Sequence, residues 1–516
     1  MVLLAVFLAL PTANAAPRGD ALEDGPRCHT PEMLQRRWDQ DPDGPPTSYA
    51  TYTRPDEAGY VDSETYPLRI HYRRAEDADR ALTVVLPIAE DVWHVEIEVM
   101  GWPQPPADYG AGGNDSYDIY LTNDQTQGGA YTFTTYDTGI EPDATPDDDL
   151  FSNSSWIAVD DDQSWIPDNI MPLFISHEFN HACQYTIDAN EYTLFVWEST
   201  AEAIAEIYSG ANRQFKLEIP DFQVHPNLSI LFDAYTRQVS TYGNETAYYE
   251  YGGWIFGAFI EQALGTDDGT TLLQMWKDLA TGSRSDEPDF VDALGLVGGA
   301  DFPDAGELFL EFSEWRLMAA DFDDGAHYAG ASTWPADAEA GSEATLQLGA
   351  VDGTQVSPAN APYYLGDSVW EIDVDSAIAG SLHLDVVGEE TTQWGIVAAG
   401  YTGTGPAVVS RARGTDGAEV STDLPLAGVT RILVAVANLG PSTLDPEDDN
   451  IKGQNTFTLS MSIVAPSGDT GGDSANDDGS GEKGGCACAT SAGGVGSTGG
   501  FALLLAGLAW GARRRR

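Results

Sequence analysis

Cysteine and positive charge are what this sequence has least of. Four cysteines occur in 516 residues, two of them in the C-terminal tail at positions 486 and 488, so a scaffold stapled by disulfides is excluded. Lysine and arginine total 24 against 82 aspartate and glutamate, a formal net charge of −58. Phosphate backbones are held by clustered basic side chains, so nucleic acid is excluded as a partner. The acidity suits a protein kept soluble in a salty or calcium-containing exterior. No segment recurs at a fixed period, which excludes a repeat architecture. What remains is a chain with 42% hydrophobic residues, long enough for two or three packed domains. A monomer is expected.

The two ends read as targeting segments. Residues 1–15, MVLLAVFLALPTANA, are apolar and close on Ala13-Asn14-Ala15, the small-x-small pattern that signal peptidase cuts, so export is expected. Near the other end a Gly/Asp/Ser-rich linker, 467–485, leads into Cys486-Ala487-Cys488, an apolar run from Phe501 to Trp510, and the arginines 513–516. The apolar run is shorter than the roughly 20 residues a spanning helix needs, but the glycine-rich residues before it can extend the span. The terminal arginines would hold that end in the cytoplasm. This order of parts resembles the MYXO-CTERM sorting signals of myxobacterial surface proteins. The resemblance implies that 486–516 is a sorting and anchoring signal, cut near Cys486 or Cys488, on a protein held at the cell surface or outer membrane or released from it. An uncut transmembrane anchor is the alternative.

Between the ends the texture changes several times. Residues 16–77 are rich in Pro, Asp, Arg and Tyr without a sustained period, and read as a propeptide or an extended lead-in. From Ala78 to about Met100, Leu82, Val85, Leu86, Ala89, Trp93 and Ile97 recur at helical spacing and predict a long amphipathic helix. Strand-like runs at 117–121, 130–135 and 155–159 predict a small sheet. Two helices follow, at about 169–186 and 192–209, with Asp188-Ala189-Asn190 as the turn between them. Residues 215 to about 325 are mostly helical in period, notably 253–264 and 271–280. The last folded stretch, 344–466, carries short alternating apolar runs, such as those beginning at Ser368, Ser381 and Arg431, and reads as a β-sandwich. The expected fold is therefore α+β over 78–335, with a helical subdomain, followed by the sandwich over 344–466.

Two smaller features stay open. The clusters Asp147–Asp149, Asp160–Asp162 and Glu447–Asp449 either hold Ca²⁺ through oxygen ligands or are solvated loops. Cys28 and Cys183 either pair, as export permits, or leave Cys183 as a buried free thiol.

Chemistry concentrates in the segment Ile175-Ser176-His177-Glu178-Phe179-Asn180-His181, which contains H-E-x-x-H in a chain with only eight histidines. Residues four apart share a helix face, so both imidazoles can reach one metal ion with Glu178 beside them. A catalytic zinc wants three protein ligands and an open position. Trp197-Glu198-Ser199-Thr200-Ala201-Glu202 lies on the next predicted helix, and Glu198, Glu202 and Glu206 share one face of it. Glu198 is the preferred third ligand, with Glu202 behind it to accept the other N–H of a ligand histidine; the reverse assignment stays open.

HEFNHACQY followed by WESTAEAIAE resembles the gluzincin metallopeptidases, the thermolysin-like clan, over roughly residues 117–265. The resemblance implies a zincin-like fold, Zn²⁺ on His177, His181 and Glu198, Glu178 as general base, Glu202 as a supporting acid, and protein or peptide substrates. Where the clan has Asn-Glu at the third ligand, this chain has Trp197-Glu198. For the developing oxyanion, the candidates are Tyr248, Tyr249, Tyr251 and His225, with Tyr249 and Tyr251 preferred by likeness to the region where some family members place a catalytic tyrosine. Residues 128–132 are a plausible sheet edge for a substrate strand. The competing readings are a non-catalytic adhesin with a structural metal and a zinc hydrolase acting on something other than peptides.

Overall fold

The computed structural model describes residues 54–466 apart from 109, 124–125, 127–128, 135–151, 165, 190, 192, 211–214, 235–236, 282–289, 375–377, 404–405, 416 and 442–453. The expectations for the leader, for Cys28 and residues 16–53, for the clusters at 147–149 and 447–449, and for the tail with Cys486 and Cys488 lie outside the described residues. Among the described residues no helix is long and apolar enough to cross a membrane.

The first sheet is built from β1 (Gly59–Asp62), β2 (Leu68–Tyr72), β3 (Tyr117–Leu121), β4 (Ala130–Thr134) and β5 (Ser155–Val159), in the order β1-β2-β3-β5-β4. β2, β3 and β5 run parallel in the middle; β1 and β4 pair antiparallel at the edges. Every residue of β3 and β5 is buried, which is why YDIYL and SWIAV have no solvated face. Period-two alternation then sorts their side chains. Ile70, Ile119, Leu121, Ala130, Ile157 and Val159 enter the main core, while Tyr120, Tyr131, Phe133 and Trp156 form an aromatic cluster on the opposite face.

β1 and β2 correct the reading of 16–77 as an aperiodic lead-in. β1 is only half-buried, and β2 carries Arg69 and His71 among its buried residues, so neither shows an apolar run. Those charges are matched within the sheet: Arg69 Nε donates to Asp62 at 2.6 Å, and His71 Nε2 lies 2.9 Å from Asp118 Oδ1. Arg54 and Glu57 join the same network through Asp118 and His71.

The helix expected from 78 to 100 is present as α1 (Leu86–Trp93), continued at its two ends by the π-helical turns Ala81–Val85 and His94–Val99. It packs on α2 (Met171–Ile187), which packs in turn on α3 (Leu194–Ser209) and on β4. α2 is buried on all sides over its middle, so a simple amphipathic stripe is absent from it. α4 (Trp254–Leu264) crosses α3 at Gly257, where an added Cβ would stand 2.7 Å from Ala203 Cβ, so only glycine permits this approach. α5 (Thr270–Leu279), α6 (Phe290–Gly298) and α7 (Ala305–Leu317) complete the helical part.

The C-terminal region is β-rich, as expected. β6 (Ala344–Gln347), β8 (Gly366–Asp373), β10 (Trp394–Tyr401), β11 (Val408–Arg413) and β13 (Arg431–Asn438) form one sheet, ordered β11-β10-β13-β8-β6. β7 (Thr354–Val356), β9 (Ser381–Gly388), β12 (Val420–Pro425) and β14 (Phe457–Val464) form a second, ordered β12-β9-β14-β7. Trp370, Ile372, Ile396, Val434 and Val436 point between the sheets. Their neighbours Val369, Val397, Leu433 and Ala435 point the other way, into the core shared with the helices, where α7 lies against β10 and β13. The five-stranded sheet is thus covered on both faces, and one core runs from Leu68 to Leu439. The whole is a mixed α/β architecture with several sheets.

Cys183 lies on α2, buried in the core, and is a free thiol among the described residues. Asp160 accepts from Thr126 Oγ1 at 2.8 Å and from the Asp162 amide, and Asp161 lies 3.5 Å from Arg74, so this cluster organises a turn.

Glu96, in the π-turn behind α2, has no exposed surface and accepts from Ser176 Oγ at 2.8 Å and Asn180 Nδ2 at 3.3 Å. Burial outweighs these hydrogen bonds and pushes the carboxyl from 4.5 up to about 8. The folded state then keeps a proton that the unfolded state releases, so stability falls as pH rises from about 4.5 to about 8. Glu96→Gln is expected to remove that fall and to be more stable than the wild type at pH 8 by a few kcal/mol, since each tenfold change in proton affinity is worth about 1.4 kcal/mol. Urea unfolding at pH 5, 6.5 and 8 checks this; a wild-type-to-variant difference that does not change with pH would show Glu96 to be ionised throughout.

Candidate metal centre

α2 and α3 lie side by side, and the faces they turn to each other carry the predicted residues. On α2 the four-residue spacing brings the rings of His177 and His181 to 4.6 Å between centroids, at 89° to one another, with their Nε2 atoms 3.0 Å apart. From α3, Glu198 reaches between them: Oε2 is 3.2 Å from His177 Nε2 and Oε1 is 3.4 Å from His181 Nε2. Among the described residues this is the one group of three or more His, Cys, Asp or Glu side chains whose ligand atoms lie within 4.8 Å of one another.

A tetrahedral zinc with ligand bonds of about 2.0–2.1 Å holds its donors about 3.3 Å apart. The three observed separations bracket that value. Apart from the two imidazoles, neither oxygen of Glu198 has a hydrogen-bond partner although both are fully buried, which is the condition of an anionic ligand set for a cation. Burial works to raise the Glu198 carboxyl, but the two imidazoles outweigh it and hold the group down at about 2. The residues present therefore fit a metal ion.

Glu202, one turn further along α3, places Oε1 3.4 Å from His177 Nδ1, behind the ligand as expected. Burial, reinforced by Glu218, Glu198 and Glu206, pushes its carboxyl well above the usual range. The surroundings thus push the two carboxyls in opposite directions, Glu198 down and Glu202 up.

Glu178 is fully buried beside the histidines. Thr132 on β4 donates from Oγ1 to Glu178 Oε2 at 2.8 Å and lies 2.7 Å from the Glu178 carbonyl oxygen. Thr132 shares its sheet face with Ala130, so the strand's pleat aims it at α2.

The tyrosines divide. Tyr251 stacks near His177, ring centroids 6.2 Å apart at 25°. Tyr249 does not join the centre: its hydroxyl donates to the Ser229 carbonyl at 2.8 Å and its ring packs on Phe222 and Phe195. Its expected role as an oxyanion donor is corrected accordingly. His225 lies against Tyr242 and 3.5 Å from Glu245, apart from the centre.

Sequence reasoning missed two residues here. Gln184 lies one turn beyond His181, and its Oε1 is 2.7 Å from His181 Nδ1; its position three residues on was a readable signal. Thr132 comes from a distant strand and left none.

No protein-family model and no curated protein matches the sequence. Among solved structures, the pre-peptidase C-terminal domain of a collagenase from Bacillus anthracis is similar at 13% identity, covering 23% of this chain and 95% of that one, with a TM-score of 0.17. A likeness at that score carries no argument about this chain.

Proposed function

We propose that this chain is a zinc-dependent peptidase, exported and held at the cell surface, with His177, His181 and Glu198 as metal ligands and Glu178 as general base. The observation that carries the reading is the meeting of three buried donor atoms at 3.0–3.4 Å with a fourth residue, Glu178, fixed beside them by Thr132. Three ligands leave the open position that a hydrolytic zinc keeps and a structural one closes, which favours the enzyme over an adhesin with a structural metal.

When bound, zinc would supply a Lewis acid that lowers the pKa of water and polarises a carbonyl. The chain's own residues do the rest. Thr132 orients the Glu178 carboxylate; Glu178 takes a proton from the attacking water and returns it to the leaving amine. Glu202 holds the His177 ring in place. Among the described residues β4 is the last strand of its sheet, so a peptide laid along its outer edge would add a strand and bring its scissile bond past Thr132 to Glu178. That edge supports a peptide over other hydrolysable substrates.

The purified chain is expected to carry about one zinc and to cleave casein, to lose activity with a chelator and to regain it with zinc. Glu198→Ala is expected to lose both metal and activity. Metal bound without cleavage of casein or of a broad peptide library would sink the peptidase reading and leave the adhesin.

A further inference from the structure

Gln184 is completely buried, and its amide can face only one way. Its nitrogen lies within reach of three acceptors: Asn180 Oδ1 at 3.1 Å, the Trp197 carbonyl at 3.3 Å and Thr200 Oγ1 at 2.9 Å. The Trp197 carbonyl has no proton to give, so an amide oxygen in that place would meet another oxygen. Thr200 is fixed just as firmly. Its hydroxyl proton goes to the Val196 carbonyl at 2.5 Å, and it accepts from Trp276 Nε1, which is only a donor, at 3.0 Å. Asn180 turns its own Nδ2 towards Glu96, which leaves Oδ1 for Gln184.

The oxygen of Gln184 must therefore be the atom 2.7 Å from His181 Nδ1. An amide oxygen only accepts, so the proton of the neutral His181 ring sits on Nδ1. Nε2 is left with its lone pair, aimed at His177 and Glu198.

Resting on the metal-site reading above, we propose that Gln184 is a positioning residue for the metal centre: it locks His181 as the Nδ1–H tautomer, and Trp276 on α5 and Thr200 on α3 act on the metal through it. The device differs from the one behind His177, where the supporting group is a carboxyl. An amide has no ionisable group of its own, so it fixes the proton in the same place at any pH.

Two measurements on the full chain test this. In metal-free wild type labelled with ¹⁵N at histidine, at a pH where the ring is neutral, the His181 signals are expected to report Nδ1–H. Gln184→Leu, which keeps the bulk and removes the acceptor, is expected to bind zinc about 10–100-fold more weakly in competition with a chromophoric chelator, with a metal-free melting transition that stays cooperative but lies lower, because Asn180, Trp197 and Thr200 lose a donor. Should that variant not fold, Thr200→Val keeps the shape and removes the hydroxyl that anchors the amide, and a several-fold weaker affinity is expected. An Nε2–H ring in the wild type, or wild-type zinc affinity in a folded Gln184→Leu or in Thr200→Val, overturns the proposal. If the wild type binds no zinc at all, it is the metal reading that fails, while the tautomer still decides what Gln184 does.

Discussion

Glu178→Gln is expected to leave zinc in place and to cut kcat by about a thousandfold, the middle of the range for losing a general base. Glutamine has the size of glutamate and still offers an oxygen to Thr132 Oγ1, now 2.8 Å from Oε2, so the helix and its ligands are not disturbed. On the proposed reading the metal is held by His177, His181 and Glu198, the three whose donor atoms lie close enough to share one ion, and not by this residue. What the amide lacks is the basicity to take a proton from water. KM should stay within a few-fold, because the missing interaction develops only on the way to the transition state. A variant that holds zinc and keeps more than a tenth of wild-type turnover would show that the proton goes elsewhere and that Glu178 is not the base.

The largest effect on stability is expected at Arg316. It lies on α7 with its side chain wholly buried, and Nη1 donates to Asp367 Oδ2 at 3.1 Å and to the Pro226 carbonyl at 3.2 Å. The guanidinium also lies over the rings of Phe222 and Phe312, at 4.5 and 5.0 Å. Ser313 Oγ completes the arrangement by donating to Asp367 Oδ1 at 2.8 Å. Burial raises the Asp367 carboxyl, and Arg316 only partly restores it. Arg316→Leu leaves that carboxyl buried without its cation, and a loss of about 3–5 kcal/mol is expected. Urea unfolding reads it as a lower midpoint at an unchanged slope. Replacing Asp367 by leucine as well removes the stranded charge, and the double variant should recover much of the loss. A loss below about 1 kcal/mol for Arg316→Leu alone would mean that the pair is not closed off from water as its burial indicates.

The metal centre was largely legible in the sequence because helical geometry converts spacing into position. His177, Glu178 and His181 needed only the pitch of one helix, and Glu198 and Glu202 only the assumption that the next helix packs against it. The long helix over 78–100 and the alternating C-terminal runs were readable for the same reason, since their periods are long enough to count; the strands around 117, 130 and 155, five residues each, stood out by apolar and aromatic content between turn signals. β1 and β2 were not. They are four and five residues long, and β2 buries an arginine and a histidine, so hydrophobic patterning passes over them while distant carboxylates neutralise them. The role of Tyr249 was misread because its partner, the Ser229 carbonyl, sits twenty residues upstream on an irregular segment, where nothing periodic announces it. Thr132 belongs to the same class: it meets Glu178 across 46 residues of sequence.

The five-stranded sheet that is covered on both faces has a consequence in time. β13, ending at Asn438, is the strand between β10 and β8; until it has been made, β10 has only β11 beside it and β8 only β6, the two halves of the sheet stay unjoined, and α7 has half a surface to rest on. A growing chain therefore carries His177, Glu178, His181 and Glu198 for well over two hundred residues before that sheet, and with it the core shared with the helices, can be completed. If the chain is the exported peptidase proposed above, the core around its candidate site is the part of the molecule that synthesis completes late.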